Sequence, residues 1–251
     1  MKFTLHFVGI NIIKKSPSLR YYADFLQMRM EDNSDRTIIV PETTGMRVEI
    51  FAPRGQSKVF DHPVASQTVR PCIHVRDLSK ITAWLEKRGA MLGEGLEKTA
   101  RGQRIELIAP DGVRWLVAQG RSYVEGGGFR RPHVGSADLM VRSLKAQLRF
   151  YTDLLGMRIS GEHEGQTMLR DRTSGIFLLV AKERPSQTVS QHSLPVQPAF
   201  LSFQTADVAE AEQMLRSRGV TVVQPTTTHY FGTDLLILDA EENVVQVVEY
   251  K

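Results

Sequence analysis

The sequence predicts an α+β fold in which a module of one strand, one helix and two or three further strands is used four times. The first observation is a repeat: LRYYADFLQM from Leu19 returns as LRFYTDLLGM from Leu148, with six of ten positions identical at an offset of 129. The second is that LEKRGAML from Leu85 returns as LRSRGVTV from Leu215 at an offset of 130. Matching segments in the same order at nearly the same offset indicate an internal duplication.

A third correspondence and a linker complete the predicted organisation. IAPDGVRWLV from Ile108 matches LDAEENVVQVV from Leu238, again at an offset of 130. The segment EGGGFRRP has the composition of a flexible and then stiff connection. We therefore predict one domain of two modules over residues 1–123, a linker over 124–132, and a second domain of two modules over 133–251.

In the first half, each element follows from a local pattern. Alternating apolar residues predict strands, and apolar residues at helical spacing predict helices. Ser16 and Pro17 supply an N-cap and a first helical residue. The predicted elements are a strand at Val8–Ile13, a helix at Ser16–Leu26, strands at Thr37–Val40 and Met46–Ala52, a strand at Pro71–Val75, a helix at Leu78–Lys87 ended by Gly89, and strands RIELIA and VRWLVA joined at Asp111-Gly112.

The second half repeats this order. Gly156 and Gly219 each follow an apolar-periodic segment, and glycine at that place ends a helix. The predicted elements are a strand at Ser136–Val141, a helix at Leu144–Leu155, strands TMLR and IFLLVA, a strand at Leu201–Thr205, a helix at Val208–Arg218, and strands DLLILD and VVQVVEY.

Composition excludes several classes of protein. Hydrophobic residues make up 41% of the chain and no apolar run is long enough to cross a membrane, so we expect neither a disordered chain nor a membrane partner. The 32 basic and 28 acidic residues are interspersed, which argues against a nucleic-acid partner. A single cysteine, Cys72, forms no intrachain disulfide and predicts a cytoplasmic location.

Two segments resemble a known family. LKAQLRFYTDLLGMRIS from Leu144 and the closing LILDAEENVVQVVEY are similar to segments of the vicinal oxygen chelate superfamily, which contains glyoxalases, bleomycin-resistance proteins and extradiol dioxygenases. The resemblance implies βαβββ modules that pair into two curled mixed-sheet domains of glyoxalase type. It also implies a cleft in which many members hold a divalent metal with His and Glu, whereas other members bind a ligand without metal.

The positions at which the family places metal ligands are mostly altered in this chain. At the opening of the four modules stand Phe7, Arg70, Ser136 and Phe200, and in the last strands stand Glu49, Leu116 and Gln246, with no acid in IFLLVA. A catalytic metal normally needs three protein ligands. We therefore expect no metal ligand set and no cofactor, with a divalent metal needed only under the alternative of an enzyme.

Strand alternation predicts which side chains face the clefts. The family resemblance implies that Arg47 and Arg70 lie on neighbouring strands of the first domain, where arginine could bind a small anion and His74 could add a donor. A salt-bridged, solvated sheet face is the competing interpretation. The candidate ligand-binding residues are Arg47, Glu49, Arg70, His74, Asp138, Gln246, His229 and Tyr230. No catalytic residue is predicted.

The function predicted from the sequence is binding of a small organic molecule in a sheet-lined cleft, without metal. One alternative is a metal-dependent enzyme, either a glyoxalase-like lyase or a ring-cleaving extradiol dioxygenase. The other is a non-catalytic interaction protein with vestigial clefts. The expected partners are a small-molecule ligand and, as an option, a second copy of the chain in a homodimer.

Overall fold

The computed structural model describes most of the strand-forming sequence. It describes residues 1–11, 21–22, 29–33, 36–40, 47–51, 68–87, 90–93, 95–99, 102–109, 112–120, 133–163, 166–173, 177–182, 199–229 and 231–251. The linker predicted over 124–132 lies outside the described residues, as does the helix predicted at Ser16–Leu26 except for Tyr21 and Tyr22, which are helical.

In the first half, the described elements follow the predicted order with additional short strands. The first module contributes β1 (Thr4–Asn11), β2 (Arg29–Asn33), β3 (Arg36–Val40) and β4 (Arg47–Phe51). The second contributes β5 (Val69–Val75), α1 (Leu78–Glu86), β6 (Met91–Leu92), β7 (Glu97–Thr99), β8 (Gly102–Ile108) and β9 (Arg114–Gly120). The side chain of Asp77 caps α1 by accepting from the backbone N–H of Lys80 at 3.2 Å.

The second half repeats the same order. The third module contains β10 (His133–Val141), α2 (Leu144–Arg149) continued by a π-helical turn at Phe150–Leu154, β11 (Arg158–His163), β12 (Gln166–Arg170) and β13 (Phe177–Lys182). The fourth contains β14 (Ala199–Gln204), α3 (Val208–Ser217), β15 (Val222–His229), β16 (Gly232–Leu238) and β17 (Val244–Tyr250). Gly156 and Gly219 have φ of 73° and 77°, as expected of helix-ending glycines. Within the described part of the chain, no helix is long and apolar enough to cross a membrane.

The strands form two mixed sheets. Sheet A has the order β15-β16-β17-β14-β1-β4-β3-β2, and sheet B has the order β11-β12-β13-β10-β5-β9-β8-β6, with β7 paired to β8. At the centre of each sheet, the first strands of two modules pair antiparallel: β1 with β14, and β5 with β10. The α+β prediction of four modules that pair into two mixed sheets is therefore confirmed.

The pairing of modules differs from the one expected. Modules one and two were expected to share a sheet, and so were modules three and four, but sheet A combines modules one and four while sheet B combines modules two and three. Neither sheet therefore corresponds to residues 1–123 or to 133–251. The physical reason is that strands pair through backbone N–H and C=O groups, which are the same in every module, so an apolar pattern does not encode the partner.

Modules of the same half meet instead through their helix-side faces. In the second half, Tyr151 of the π-helical turn donates to Asp239 of the β16–β17 turn at 3.2 Å, and the backbone N–H of Ala240 donates to Gln147 of α2 at 3.2 Å. In the first half, the rings of Tyr22 and Trp115 lie 5.4 Å apart. Within the described part of the chain, one continuous hydrophobic core therefore joins the helix-side faces of both sheets.

Candidate functional site

The two faces of each sheet separate as strand alternation predicts. Val8, Ile10, Val48, Ile50 and Ile73 belong to the helix-side core. Among the described residues, the buried apolar side chains outside that core are Phe7, Cys72, Leu116, Phe200, Leu236, Val244 and Val248. They lie on the opposite, inner faces of the two sheets, where the ligand of a glyoxalase-type fold is expected.

Both sheets curl strongly around these inner faces. In sheet B, Arg104 of β8 contacts Asp138 of β10 at 2.9 Å although the two strands are three places apart. In sheet A, Tyr250 of β17 donates to Glu49 of β4 at 3.3 Å, again three places apart. Three strand spacings measure about 14 Å along a flat sheet, so each sheet must curl to bring these side chains together. We call the inner face of curled sheet A cleft A, and that of sheet B cleft B.

An ion pair spans cleft B. Arg104 Nη1 donates to Asp138 Oδ2 at 2.9 Å, and its Nε and Nη2 donate to the two carboxylate oxygens of Glu97 at 2.7 and 3.0 Å. Burial raises the pKa of Asp138, whose carboxylate is 1% exposed, although Arg104 and Arg70 oppose that rise. Burial also opposes the charge of Arg104, but its hydrogen bonds and charge interactions with Glu97 and Asp138 prevail and raise its pKa.

The remaining charges of cleft B also neutralise one another. Arg70 and Arg114 approach Glu106 at 3.5 and 3.4 Å. Arg70 also lies directly opposite Asp138 in the β5–β10 register. Together with Arg104 and Glu97, the described residues of this cluster comprise three arginines and three carboxylates. This favours the competing interpretation of Arg70, a salt-bridged sheet face.

The predicted pair of anion-binding arginines is not brought together. Arg47 lies on β4 in sheet A, whereas Arg70 lies on β5 in sheet B. Their strands are therefore not neighbours, because β4 pairs with β1 and β3 while β5 pairs with β9 and β10. The side chain of Arg47 lies outside the described residues. The proposal of a joint Arg47–Arg70 anion site is wrong for this reason.

His74, which was predicted for the first cleft, and the lone cysteine Cys72 lie on the floor of cleft B. His74 is buried and its Nε2 forms a hydrogen bond with Ser136 Oγ at 3.2 Å. The Cys72 thiol is buried between Ser136 and Leu116 in the register of the sheet. Burial, assisted by the nearby Asp138 carboxylate, raises the pKa of Cys72 to about 12. Such a thiol is poorly suited to act as a nucleophile.

Cleft A is lined differently, with aromatic rings on its floor. Phe7 of β1 and Phe200 of β14 are fully buried, and their rings make an edge contact with centroids 6.5 Å apart. The Phe200 ring lies above Gly9, where a Cβ atom would stand 2.0 Å from Phe200 Cζ. Glycine at position 9 therefore provides the space that the ring occupies.

A chain of hydrogen bonds crosses the fourth module on the same inner face. Ser202 Oγ donates to Gln246 Oε1 at 3.0 Å, and Gln246 Nε2 donates to Asp234 Oδ2 at 2.7 Å. The other oxygen of Asp234 lies 3.1 Å from His229 Nε2. Predicted residues Gln246 and His229 are thus connected by Asp234, which the sequence prediction missed. The alternation of β16 could have identified it, because Asp234 and Leu236 lie on the inner face.

Aromatic side chains border His229 at one end of cleft A. The rings of His229 and Phe231 are stacked with centroids 5.0 Å apart. Tyr250 lies between Phe231 and His6, with ring centroids 6.5 and 5.1 Å away. Tyr250 also donates to the buried Glu49, so the predicted Glu49 lies in cleft A beside a tyrosine that the sequence did not single out. Tyr230 lies outside the described residues.

The residues at the family's metal-ligand positions do not fit a divalent metal. In cleft A these are Phe7, Phe200, Glu49 and Gln246, and the side-chain oxygen and nitrogen of Gln246 are already bonded to Ser202 and Asp234. Phe7 and Phe200 offer no donor atom, which leaves one carboxylate. Among the described residues, no group of three or more His, Cys, Asp or Glu side chains could hold a metal ion.

A test of cleft B is to remove the cation of its central ion pair. Arg104→Met leaves the Asp138 carboxylate buried without its closest partner, so the free energy of unfolding should fall by about 3–5 kcal/mol at neutral pH. Urea unfolding measures the loss, which should shrink at acidic pH because a protonated Asp138 needs no cation. Glu97→Gln is the control: Glu97 is 51% exposed, so its removal should cost less than about 1 kcal/mol. Equal losses in both variants would contradict the assignment.

The reactivity of Cys72 is a second test. A pKa raised from 9.0 to about 12 lowers the thiolate fraction at pH 8 on the order of a thousandfold. The native chain should therefore react with a thiol-specific disulfide reagent far more slowly than the urea-unfolded chain does. Similar rates for the folded and unfolded chain would show that Cys72 is not buried as described.

Comparisons with known proteins agree with this geometry. Residues 131–247 match the family described as the Glyoxalase/Bleomycin resistance protein/Dioxygenase superfamily. Glyoxalase I from Zea mays superposes with a TM-score of 0.69 at 13% sequence identity, over 99% of this chain and 92% of that one. A putative dioxygenase from Bacillus subtilis superposes with a TM-score of 0.69 at 12% identity, over 100% of this chain and 86% of that one.

At these identities the structural likeness shows the fold alone, and it extends over the whole chain. No curated protein sequence matches the chain. The family match covers the third and fourth modules, which include the LKAQLRFYTDLLGMRIS segment that carries the resemblance. Residues 131–247 therefore match the glyoxalase/bleomycin resistance protein/dioxygenase superfamily, and the chain as a whole has the fold of glyoxalase I and of the dioxygenase-like structure.

Proposed function

We propose that this protein binds a small organic molecule in cleft A without a metal ion. The observation that carries the proposal is the lining of cleft A: two phenylalanine rings occupy family metal-ligand positions, next to a few fixed polar groups. Sites for small organic molecules have this composition, because apolar walls supply affinity and a few placed polar groups supply orientation.

The donor chemistry supports binding without metal. Glu49 is the acid retained among the ligand positions of cleft A, and it accepts a hydrogen bond from Tyr250. In cleft B, Arg70 occupies an opening position, and a guanidinium repels a divalent cation. A metal-dependent lyase or dioxygenase would need ligands that neither cleft supplies at these positions.

Cleft A is a better candidate than cleft B because of the charges in cleft B. A ligand entering cleft B would have to displace or accommodate the Arg104–Asp138 ion pair, both members of which are largely buried. Separating a buried ion pair leaves two charges poorly solvated, which costs several kcal/mol. In cleft A the rings of Phe7 and Phe200 lie beside polar side chains that are already hydrogen-bonded to one another, so an apolar ligand surface can contact the rings without separating a buried arginine–carboxylate pair.

A thermal-shift screen with small neutral aromatic compounds, including nitrobenzene, tests the proposal. A ligand that binds only the native state raises the melting temperature, and here the rise should persist after treatment with EDTA. Phe200→Ala removes part of the floor and should weaken binding on the order of tenfold, which corresponds to about 1.4 kcal/mol. Isothermal titration calorimetry measures that change.

The matched control is Leu116→Ala, which removes a buried apolar side chain from the inner face of cleft B. Both substitutions lower stability, so ligand affinity and not the melting temperature is compared. Binding should be nearly unchanged in Leu116→Ala. One equivalent of zinc, nickel, iron or manganese in the purified protein, or loss of binding after EDTA, would overturn the proposal in favour of the metal-dependent alternative.

A further inference from the structure

His229 and Asp234 form a fixed pair on the inner face of cleft A. Asp234 is buried on β16, and its Oδ1 lies 3.1 Å from His229 Nε2. Gln224 Nε2 donates to the same oxygen at 3.2 Å, and Gln246 Nε2 donates to Oδ2 at 2.7 Å. The carboxylate is therefore held by amide donors on two neighbouring strands, and it fixes the position of the imidazole.

This arrangement determines which nitrogen of His229 carries the proton. Both oxygens of Asp234 accept from amide NH₂ groups, which suits the ionised carboxylate. An ionised carboxylate only accepts, so His229 Nε2 donates to it and Nδ1 keeps its lone pair. Nδ1 has no hydrogen-bond partner within the described part of the chain, and 36% of the His229 side chain is exposed. The imidazole is therefore partly exposed, and Nδ1 is its nitrogen with a lone pair to accept a proton.

The surroundings of Nδ1 favour a flat ligand. The His229 ring is stacked on Phe231 with an angle of 5° between the planes, and Tyr250 lies next to Phe231. His229 pairs with Gly232, and Gly232 with Tyr250, in the register of sheet A, which places all three at the same end of cleft A. Aromatic faces of this kind bind planar groups by offset stacking.

We propose that His229 accepts the proton of a weakly acidic hydroxyl, such as that of an enol or a hydroxylated ring, on the molecule bound in cleft A, with Asp234 as the positioning residue. The O–H bond of the ligand breaks, a new N–H bond forms at Nδ1, and the electron pair stays on the ligand oxygen. Asp234 keeps its negative charge and stabilises the imidazolium through Nε2–H. This inference rests on the proposed function and adds the chemical class of the ligand.

Other titratable groups near His229 must be distinguished from it. Asp234 on β16 and Tyr250 on β17 share its face of the sheet. Tyr250 is contacted by His6 on β1 and by Glu49 on β4. On the helix side, Glu212 of α3 accepts a hydrogen bond from Thr226 on β15. His6 is the other imidazole in this group, which makes it the matched control for a test of His229.

The test uses 4-nitrophenol, whose absorbance spectrum reports its ionisation, and nitrobenzene as a matched compound without the hydroxyl. Bound to the full-length protein, 4-nitrophenol should ionise about one pH unit or more below the free compound, because its anion forms beside an imidazolium. His229→Gln keeps a donor for Asp234 but has no Nδ1 acceptor, and it should lose this shift. Asp234→Asn should reduce the shift, because an amide donor favours the tautomer with a proton on Nδ1.

The His6→Gln variant and the binding of nitrobenzene show whether a change in 4-nitrophenol ionisation is specific to His229. His6→Gln should keep the full shift, and nitrobenzene should bind the wild type and all three variants with similar affinity. The inference would be overturned if bound 4-nitrophenol ionised at the same pH as the free compound. It would also be overturned if His229→Gln kept the full lowering of the 4-nitrophenol pKa, or if His6→Gln lost it. Nitrobenzene binding without any ionisation of 4-nitrophenol would leave the proposed function standing, whereas failure of both compounds to bind would overturn the two together.

Discussion

The antiparallel pairing of first strands from different halves is the contact on which both clefts depend. β1 pairs with β14, and β5 pairs with β10, so each inner face is assembled from one module of each half. This brings Glu49 of the first module to Tyr250 of the fourth, and Arg104 of the second to Asp138 of the third. If the modules paired within the halves, none of these contacts could form. The helix-side core then joins the two sheets, since Tyr151 and Gln147 contact the β16–β17 turn.

The two clefts show how one arrangement of strands acquires two chemistries. The opening positions hold Phe7 and Phe200 in cleft A, and Arg70 and Ser136 in cleft B. In cleft A the aromatic floor leaves polar groups near one end, where Asp234 fixes His229. In cleft B the charges satisfy one another across the curled sheet, which stabilises the closed arrangement and leaves Cys72 buried beneath it. This division supports our proposal that cleft A binds the ligand and that cleft B is structural.

Much of the fold was predictable because its signals are local. Strand alternation correctly separated Val8, Ile10 and Ile73 from the inner face, and glycine ended the helices at Gly156 and Gly219. Module pairing was not predictable, since backbone hydrogen bonds carry no residue code. The same gap explains the incorrect Arg47–Arg70 pair. It also explains why Arg104 and Tyr250 were missed, because their contacts with Asp138 and Glu49 join strands whose proximity depends on pairing and curl. Asp234 is different: its contacts lie within the neighbouring strands β15, β16 and β17, and the alternation of β16 is enough to place it on the inner face. The sequence did identify Glu49, Gln246 and His229, which the structure places in cleft A.

A cross-link between β1 and β14 tests the central claim most directly. Thr4 and Gln204 are paired across these antiparallel strands, and Cα atoms of such pairs lie within reach of a disulfide. In a Cys72→Ser background, the double variant Thr4→Cys/Gln204→Cys should form an intrachain disulfide on mild oxidation, seen by mass spectrometry as a monomer that links a peptide of each half. A chain that remains reduced under oxidation, while its unfolded form oxidises readily, would contradict the pairing of modules one and four.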